Sequence, residues 1–446
     1  MLIFLKFFVC LLAFLIFIIG IIYAENKVCT KYQCNPPVVS DPDLKVEMIY
    51  QGNDTLLKNE SNGTHLLSPV TKMAFLGNND LLLLNKNDGK VIRIINHSIS
   101  EPLIDLNVAN KWERGLLGVA ISKNEDKTHV FLYYTESKLS DGGDVCPTVF
   151  CSTPKEPIQN KLYRYDLVEN RLVNPVLLFA GPKSNIASHI GGALEVGPDN
   201  NVYLIVGDFH GYQNKTTTLV QNYKNGSWPD GRSGILRFTQ DGKPVGNGIL
   251  GKKYPLNLYY AYGIRNGYGL DFDPVSGTLW DTENGPGNGD EINLVNPGFN
   301  SGWNRVQGTL RDRSESVIGS SILGQPPALV DFNGKGKYSA PEFIWNQTVA
   351  PTALRFLDSD RLGADYKNDL LVASFNRGEI YHFDLNDNRT ALILVNSDRL
   401  AEDQDAKSLT FARGLGKITD MQVGPDGNLY VLSRYFNKGT IFKISK

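Results

Sequence analysis

The chain has 446 residues, and its 45 basic and 47 acidic side chains leave no global field for gripping nucleic acid or anionic lipid. Glycine (43) and proline (22) are plentiful, aromatics reach 10%, and helix-period apolar stripes are scarce, which is the composition of a strand-and-turn protein with a small or uncharged ligand.

In chain order, the first element is an apolar run. Residues 7–24, FFVCLLAFLIFIIGIIYA, follow Lys6 and sit at the lower limit for a bilayer-spanning helix. They predict an N-terminal targeting or anchor helix, either retained or cut after Ala24 as a signal peptide. Both readings place everything from Glu25 onward outside the cytoplasm, because only Lys6 and the α-amino group mark the inner side. Residues 25–43 form an extracytoplasmic linker. Apart from Cys10, the cysteines are two close pairs, Cys29/Cys34 and Cys146/Cys151, suited to local disulfides in an oxidising compartment. Zinc is the rival reading, weakened by the scatter of the histidines. Glycosylation sequons begin at Asn53, Asn59, Asn62, Asn96, Asn214, Asn225, Asn346 and Asn388.

From residue 44 to 446 one three-strand meander recurs. Thr71 to Phe75, Asp80 to Leu84 and Gly89 to Ile94 make one copy; Leu117 to Ile121, Val130 to Tyr134 and Lys161 to Tyr165 make the next. A third comprises Gly192 to Val196, Asn201 to Val206 and Gly234 to Phe238, and a fourth Tyr268 to Phe272, Thr278 to Thr282 and Glu291 to Val295. Pro351 to Phe356, Asp369 to Ala373 and Gly378 to Phe383 form the fifth; Thr419 to Val423, Asn428 to Leu432 and Gly439 to Ile444 form the sixth. The turn after the first strand repeats as Gly197-Pro-Asp-Asn-Asn201, Asp273-Pro-Val-Ser-Gly277 and Gly424-Pro-Asp-Gly-Asn428, where proline presets one turn angle and Asn or Gly accepts the next. Such a meander cannot bury both faces alone. The repetition predicts an all-β fold, a six-bladed β-propeller of four-stranded antiparallel blades, with Lys45 to Tyr50 as the missing strand of the last blade.

In a propeller, the loop entering the innermost strand and the loop leaving the second strand share one rim. Entering loops carry Glu113-Arg114, His189, Arg265-Asn266, Thr348 and Lys417; leaving loops carry Asp208, Gly285-Pro286, Asn376-Arg377 and Arg434. A histidine, carboxylates, cations and a glycine-proline loop with free carbonyls form a polar site rather than an apolar docking face.

These residues resemble the glucose/sorbosone dehydrogenase family of PQQ-dependent sugar dehydrogenases. The similar stretches are Arg114-Gly-Leu-Leu-Gly118, His189-Ile-Gly-Gly192, Val206-Gly-Asp208, Gly263-Ile-Arg-Asn266, Glu283-Asn-Gly-Pro286, Asp290-Glu-Ile-Asn293, Thr348-Val-Ala-Pro351 and Gly424-Pro-Asp-Gly427. The resemblance implies that His189 is the general base and that Asp208 orients it. It implies quinone contacts from Arg265 and Asn266, a further cofactor contact from Thr348, and calcium held by the carbonyls of Gly285 and Pro286 near the acidic Asp290 and Glu291. Each position has a plainer reading as well: Asp208 as a loop cap, Arg265-Asn266 as a tie between blades, Gly285-Pro286 as a turn, Arg114 as a brace. His210 is a rival base.

The departures fall among the groups expected to hold the three PQQ carboxylates. Lys417-Ile-Thr419 stands where an Arg-x-Arg is expected, Asn376 where a lysine is expected, and Glu113 where a glutamine is expected. Lysine lacks the planar fork that grips a carboxylate bidentately, leaving Arg377 and Arg434 as candidates to compensate. Two functions follow. One is an extracytoplasmic, membrane-anchored or secreted quinoprotein dehydrogenase oxidising an aldose or related polyol, with PQQ, Ca2+ and an electron acceptor at the membrane. The other is a non-catalytic propeller binding glycan or protein. A calcium-dependent lactonase would need acidic ligands spread across several blades, which this sequence does not show.

Overall fold

The computed structural model describes residues 36–52, 69–96, 98–140, 142–143, 158–210, 217–308, 329–394, 400–401 and 403–446. The apolar run 1–24, both cysteine pairs, and the sequons at Asn53, Asn59, Asn62 and Asn214 lie outside them. Among the described residues no helix is long and apolar enough to cross a membrane.

The described chain folds into six sheets. Their first strands are Val70–Gly77, Leu116–Lys123, Gly191–Val196, Gly267–Phe272, Pro351–Phe356 and Lys417–Val423, and each neighbours the next in a closed cycle. Each is followed outward by two antiparallel strands, in the first sheet Asp80–Asn85 and Lys90–Ile95 and in the last Leu429–Tyr435 and Lys438–Ser445. The molecule is therefore an all-β propeller of antiparallel blades. Among the described residues the parallel additions lie at outer edges: Phe299–Asn300 and Lys337–Tyr338 extend the third sheet, and Leu400–Ala401 extends the fourth.

The ring closes with the N-terminal end of the described chain. Lys45–Gln51 pairs antiparallel with Lys438–Ser445, placing Lys45 opposite Ser445 and Gln51 opposite Thr440. A second tie was not foreseen: Val38–Val39 pairs with Thr410–Arg413 on the outside of the fifth sheet. The fourth strands of the inner copies are also new, notably Arg171–Ala180, an edge strand whose Leu177 faces solvent and whose side chains show no clean alternation.

Packing follows the two-residue period of each strand. Val202–Val206 is buried on both faces, so Leu204 and Val206 join the core shared with the second sheet while Tyr203 and Ile205 join the core toward the fourth. A strand clamped between two blades is thus a continuous apolar run rather than an alternating one. At the repeated turns, Gly277 and Gly427 have φ of +69° and +77°, and Asn200 has φ of 62°, the left-handed conformation that Gly and Asn accept most readily.

Charged side chains from five first strands close the axis. Arg355 pairs with Glu195 and, at 3.4 Å, with Asp271. The Lys72 ammonium donates to the carbonyls of Tyr268 and Thr352 and to Asp420 at 3.0, 3.2 and 3.2 Å. Burial outweighs Arg355 at Glu195 and pushes its carboxyl up to about 7. One end of the ring, next to Lys72 and Tyr268, carries the candidate site.

Candidate active site

That end holds a cavity of about 760 Å³, within the range of small-molecule sites. Of the predicted rim residues, Glu113, His189, Arg265, Asn266, Gly285, Thr348 and Arg434 line it. Lys72 and Tyr268 lie on its lining at the axis, Phe375 and Thr419 on one wall, and Trp112 on another.

His189 ends the loop before the strand Gly191–Val196, with φ of 57° and only 4% exposure. Its Nδ1 lies 2.5 Å from Asp208 Oδ1, while Asp208 Oδ2 accepts the Trp303 indole N–H at 2.8 Å. Gly207 permits this approach, because a Cβ there would stand 2.2 Å from the His189 carbonyl oxygen. Burial alone would raise the Asp208 carboxyl, but the bonds from His189 and Trp303 and the nearby Arg265 hold it below the usual carboxylate range. A buried carboxylate at Nδ1 fixes the tautomer and leaves Nε2 as the nitrogen able to accept a proton. The dyad is therefore assembled, not merely implied.

His210, the rival base, packs behind His189 and is not among the residues lining the cavity. Its ring stacks on the His189 ring at 3.6 Å between centroids and 26° between planes, and its backbone N–H donates to Asp208 Oδ1 at 2.9 Å. Burial, with the neighbouring His189, pushes its imidazole down to about 4, so it is a neutral packing surface near pH 7.

Glu113 has a local task. Its Oε2 accepts from the backbone N–H groups of His189 (2.8 Å) and Ile190 (3.3 Å), from Asn266 Nδ2 (3.2 Å) and from the Tyr268 hydroxyl. Burial, with Glu113 next, keeps that phenol well above its usual range and hence protonated. Asn266 Oδ1 in turn accepts from Gly191 at 3.1 Å. The carboxylate is a hub that holds the histidine loop against the fourth sheet. Arg265 lies 5.3 Å over the Trp303 ring and donates Nη1 to the Asn284 carbonyl at 2.5 Å.

The opposite wall is cationic. Arg434 lines the cavity, its buried Nε has no hydrogen-bond partner, and it makes no ion pair among the described residues. Burial lowers it from the usual arginine range. Lys417 is its cross-strand neighbour and lies 5.2 Å over the Phe375 ring. Thr419, also on the cavity, donates only a 3.4 Å bond to the Leu432 carbonyl. Arg377 is not part of the lining: it interacts with the Tyr381 hydroxyl instead. Arg114 is a brace, fully buried, with Nη2 donating to the Asn185 carbonyl at 2.7 Å.

The expected metal residues separate into two groups. Gly285 is on the cavity and Pro286 is exposed. Asp290 acts as a loop tie, with Oδ1 accepting from Gly285 at 2.7 Å and Oδ2 from Thr348, Val349 and Ala350 at 2.8, 2.7 and 2.8 Å. Thr348 is thereby committed to Asp290. Glu291 belongs to a buried cluster behind the rim. Asp281 and Glu283 alternate on one strand, opposite Asn293 and Glu291 respectively on the next, and all four are at most 1% exposed. Burial first, and repulsion within the cluster next, drive Asp281 and Glu291 well above the carboxylate range, while burial raises Glu283 to about 7. Among the described residues Asn293 Oδ1 and Gln307 Oε1 are buried without a hydrogen-bond partner, and Asn293 is the polar side chain beside Asp281. The oxygens of Glu283 and Glu291 are taken up by protein donors, and among the described residues the group whose ligand atoms lie within 4.8 Å of one another is Asp369, His382 and Asp384, away from this cluster.

The sequence did contain a signal for Asp281 and Glu283: carboxylates two residues apart on a strand, facing an equally spaced Asn and Glu on the next. Trp303 carried none, because its bond to Asp208 joins positions distant in the chain.

The family model for glucose/sorbosone dehydrogenase matches residues 67–443. The chain is 29% identical over 269 residues to an aldose sugar dehydrogenase of Escherichia coli, covering 59% of this chain and 62% of that protein. It is 25% identical to quinoprotein glucose dehydrogenase B of Acinetobacter calcoaceticus over 80% of this chain and 81% of that one. The PQQ-bound aldose sugar dehydrogenase of Streptomyces coelicolor shares the fold, with a TM-score of 0.59 and 19% identity over 92% of this chain and 100% of that one. The chain belongs to the glucose/sorbosone dehydrogenase family.

Proposed function

We propose that this protein is an extracytoplasmic quinoprotein that oxidises an aldose or a related polyol and delivers the electrons to an acceptor at the membrane. The observation that supports this most strongly is the His189–Asp208–Trp303 chain on a cavity of cofactor size. His189 Nε2 accepts the proton of the sugar's anomeric hydroxyl as C1 gives up hydride, and Asp208 stabilises the imidazolium that forms. PQQ, when bound, supplies the two-electron acceptor. Arg265 and Asn266, which line the cavity, would contact the quinone oxygens and supply positive charge and a donor to the anion that develops there.

The residues present fit the cofactor. Arg434 offers an uncompensated guanidinium for a carboxylate, and Lys417 lies one strand across from it. Of the groups considered for calcium, Gly285 lies on the cavity, whereas Asp281, Glu283 and Glu291 are buried behind it. Glu113 loses its weight as a mark of lost function, since its Oε2 serves four protein donors. Thr419 still favours the non-catalytic alternative, because no cation replaces it at that position.

The test is titration of the purified chain with PQQ and Ca2+, followed by dye reduction with a panel of aldoses. Saturable, calcium-dependent binding with sugar-dependent reduction is expected. A folded propeller that ignores micromolar PQQ would overturn the reading in favour of a binding module.

A further inference from the structure

Two buried amides lie behind the dyad, off the cavity lining. Asn222 ends the short 3-10 turn Leu219–Gln221 with φ of 62°, Asn300 ends the strand Phe299–Asn300, and each is 1% exposed. Their side chains bond head to tail: Asn222 Nδ2 donates to Asn300 Oδ1 at 2.9 Å, and Asn300 Nδ2 donates to Asn222 Oδ1 at 2.8 Å. Asn222 Oδ1 also accepts from the Val330 N–H at 3.2 Å, and Asn300 Oδ1 from the Gly302 N–H at 3.0 Å. Gly263, with φ of 72°, makes room for the pair, since a Cβ there would stand 2.4 Å from Asn300 Oδ1 and 3.1 Å from Asn222 Nδ2. A buried amide is costly unless its groups are matched, so this arrangement specifies one geometry.

That geometry is handed to Trp303. The second hydrogen of Asn222 Nδ2 goes to the Trp303 carbonyl at 2.8 Å. The Trp303 N–H donates to the Gly263 carbonyl and the Asn304 N–H to the Gln221 carbonyl, each at 3.0 Å. With its backbone fixed on both sides, the fully buried indole points its N–H at Asp208 Oδ2, while Asp208 Oδ1 faces His189. A carboxylate whose charge is drawn toward one donor pulls less strongly on the other.

The remaining titratable and charged groups around the dyad are His210, stacked on the His189 ring, Arg265 over the indole, Glu113 on the His189 backbone N–H, and Glu283 on the Arg265 backbone N–H. None of them donates to Asp208 Oδ2. We propose that Asn222 and Asn300 are positioning residues: by fixing Trp303 they make the indole share Asp208 with His189, and this sharing sets the pH at which His189 gains its proton. The inference rests on the reading of His189 as the base.

The experiment follows the His189 Cε1–H signal by NMR in the full chain carrying labelled histidine, assigned with His189→Gln and titrated across neutral pH in wild type, Trp303→Phe and Asn222→Ala. Loss of the indole donor leaves Asp208 a stronger partner for the imidazolium, so the His189 midpoint should rise by about one pH unit in Trp303→Phe and by about half a unit in Asn222→Ala. With PQQ and Ca2+ bound, the pH at which kcat/KM for an aldose reaches half its plateau should rise in step. An unmoved or lowered midpoint in folded Trp303→Phe overturns the proposal, as does a lower plateau at an unchanged midpoint, the mark of a merely structural role. Should Trp303→Phe fail to fold, Asn222→Ala decides by the same criterion. If no aldose is oxidised, the reading under "Proposed function" fails, and the NMR midpoints alone uphold or overturn the control of His189 by Trp303.

Discussion

The two walls of the cavity are built in opposite ways. On the His189 wall the polar groups are committed to one another: imidazole to Asp208, Asp208 to Trp303, and Glu113 to two backbone N–H groups, an amide and a phenol. On the Arg434 wall a guanidinium stands with its Nε unpartnered, and a threonine makes one long bond. A catalytic base has to be aimed before substrate arrives, so its partners belong to the protein. A carboxylate-binding cation stays uncompensated until its ligand supplies the charge. The contrast separates the groups that orient from those that hold.

The difference can be broken first at its ordered side. Asp208→Asn should keep the fold and the cofactor site but remove the charge that stabilises the imidazolium and fixes its tautomer. A fall in kcat of about 10²- to 10³-fold is expected in steady-state assays, with PQQ affinity unchanged. On the other wall, Arg434→Ala should weaken PQQ binding about tenfold by calorimetry, Arg434→Lys should recover part of it, and dye reduction at saturating cofactor should stay near wild type. Unchanged affinity in Arg434→Ala would show that the guanidinium grips nothing.

The smallest effect concerns the axial plug beneath both walls. Burial raises the folded-state pKa of Glu195 to about 7, above its unfolded value, so its contribution to stability is full below the unfolded pKa and is lost as pH rises through the folded one. Thermal unfolding should therefore show Tm declining between about pH 5 and pH 8, and Glu195→Gln should flatten that decline by a few degrees. A slope identical to wild type would remove Glu195 from the account.

Much of this was legible because a propeller repeats a short grammar. The first three strands of each copy fell within about three residues of their place, since these strands are rich in apolar residues and three of the copies carry the same proline-led turn after the first strand. The outer strands were harder to read. Arg171–Ala180 and Val38–Val39 each have exposed positions, and their pairing depends on neighbours far away in the chain. In the site, His189 and Asp208 were readable from glycine-flanked loops on one rim. Glu113 was not, because its four donors come from two stretches far from it in the chain, His189-Ile190 and Asn266 to Tyr268, and only folding brings them together. Asp290 shows a role the sequence did not suggest: beside a glycine-proline loop it reads as a metal ligand, and in the fold its oxygens accept from backbone N–H groups and Thr348.

The central claim is that His189 takes the proton while the rest of the cavity holds cofactor and sugar. The direct measurement is single-turnover reduction of bound PQQ by an aldose, followed by absorbance, in wild type and His189→Ala with cofactor occupancy confirmed beforehand. The account predicts equal PQQ and calcium binding in the two proteins and a rate at least about 10³-fold slower in the variant. Equal rates at equal occupancy would contradict it and remove His189 as the base.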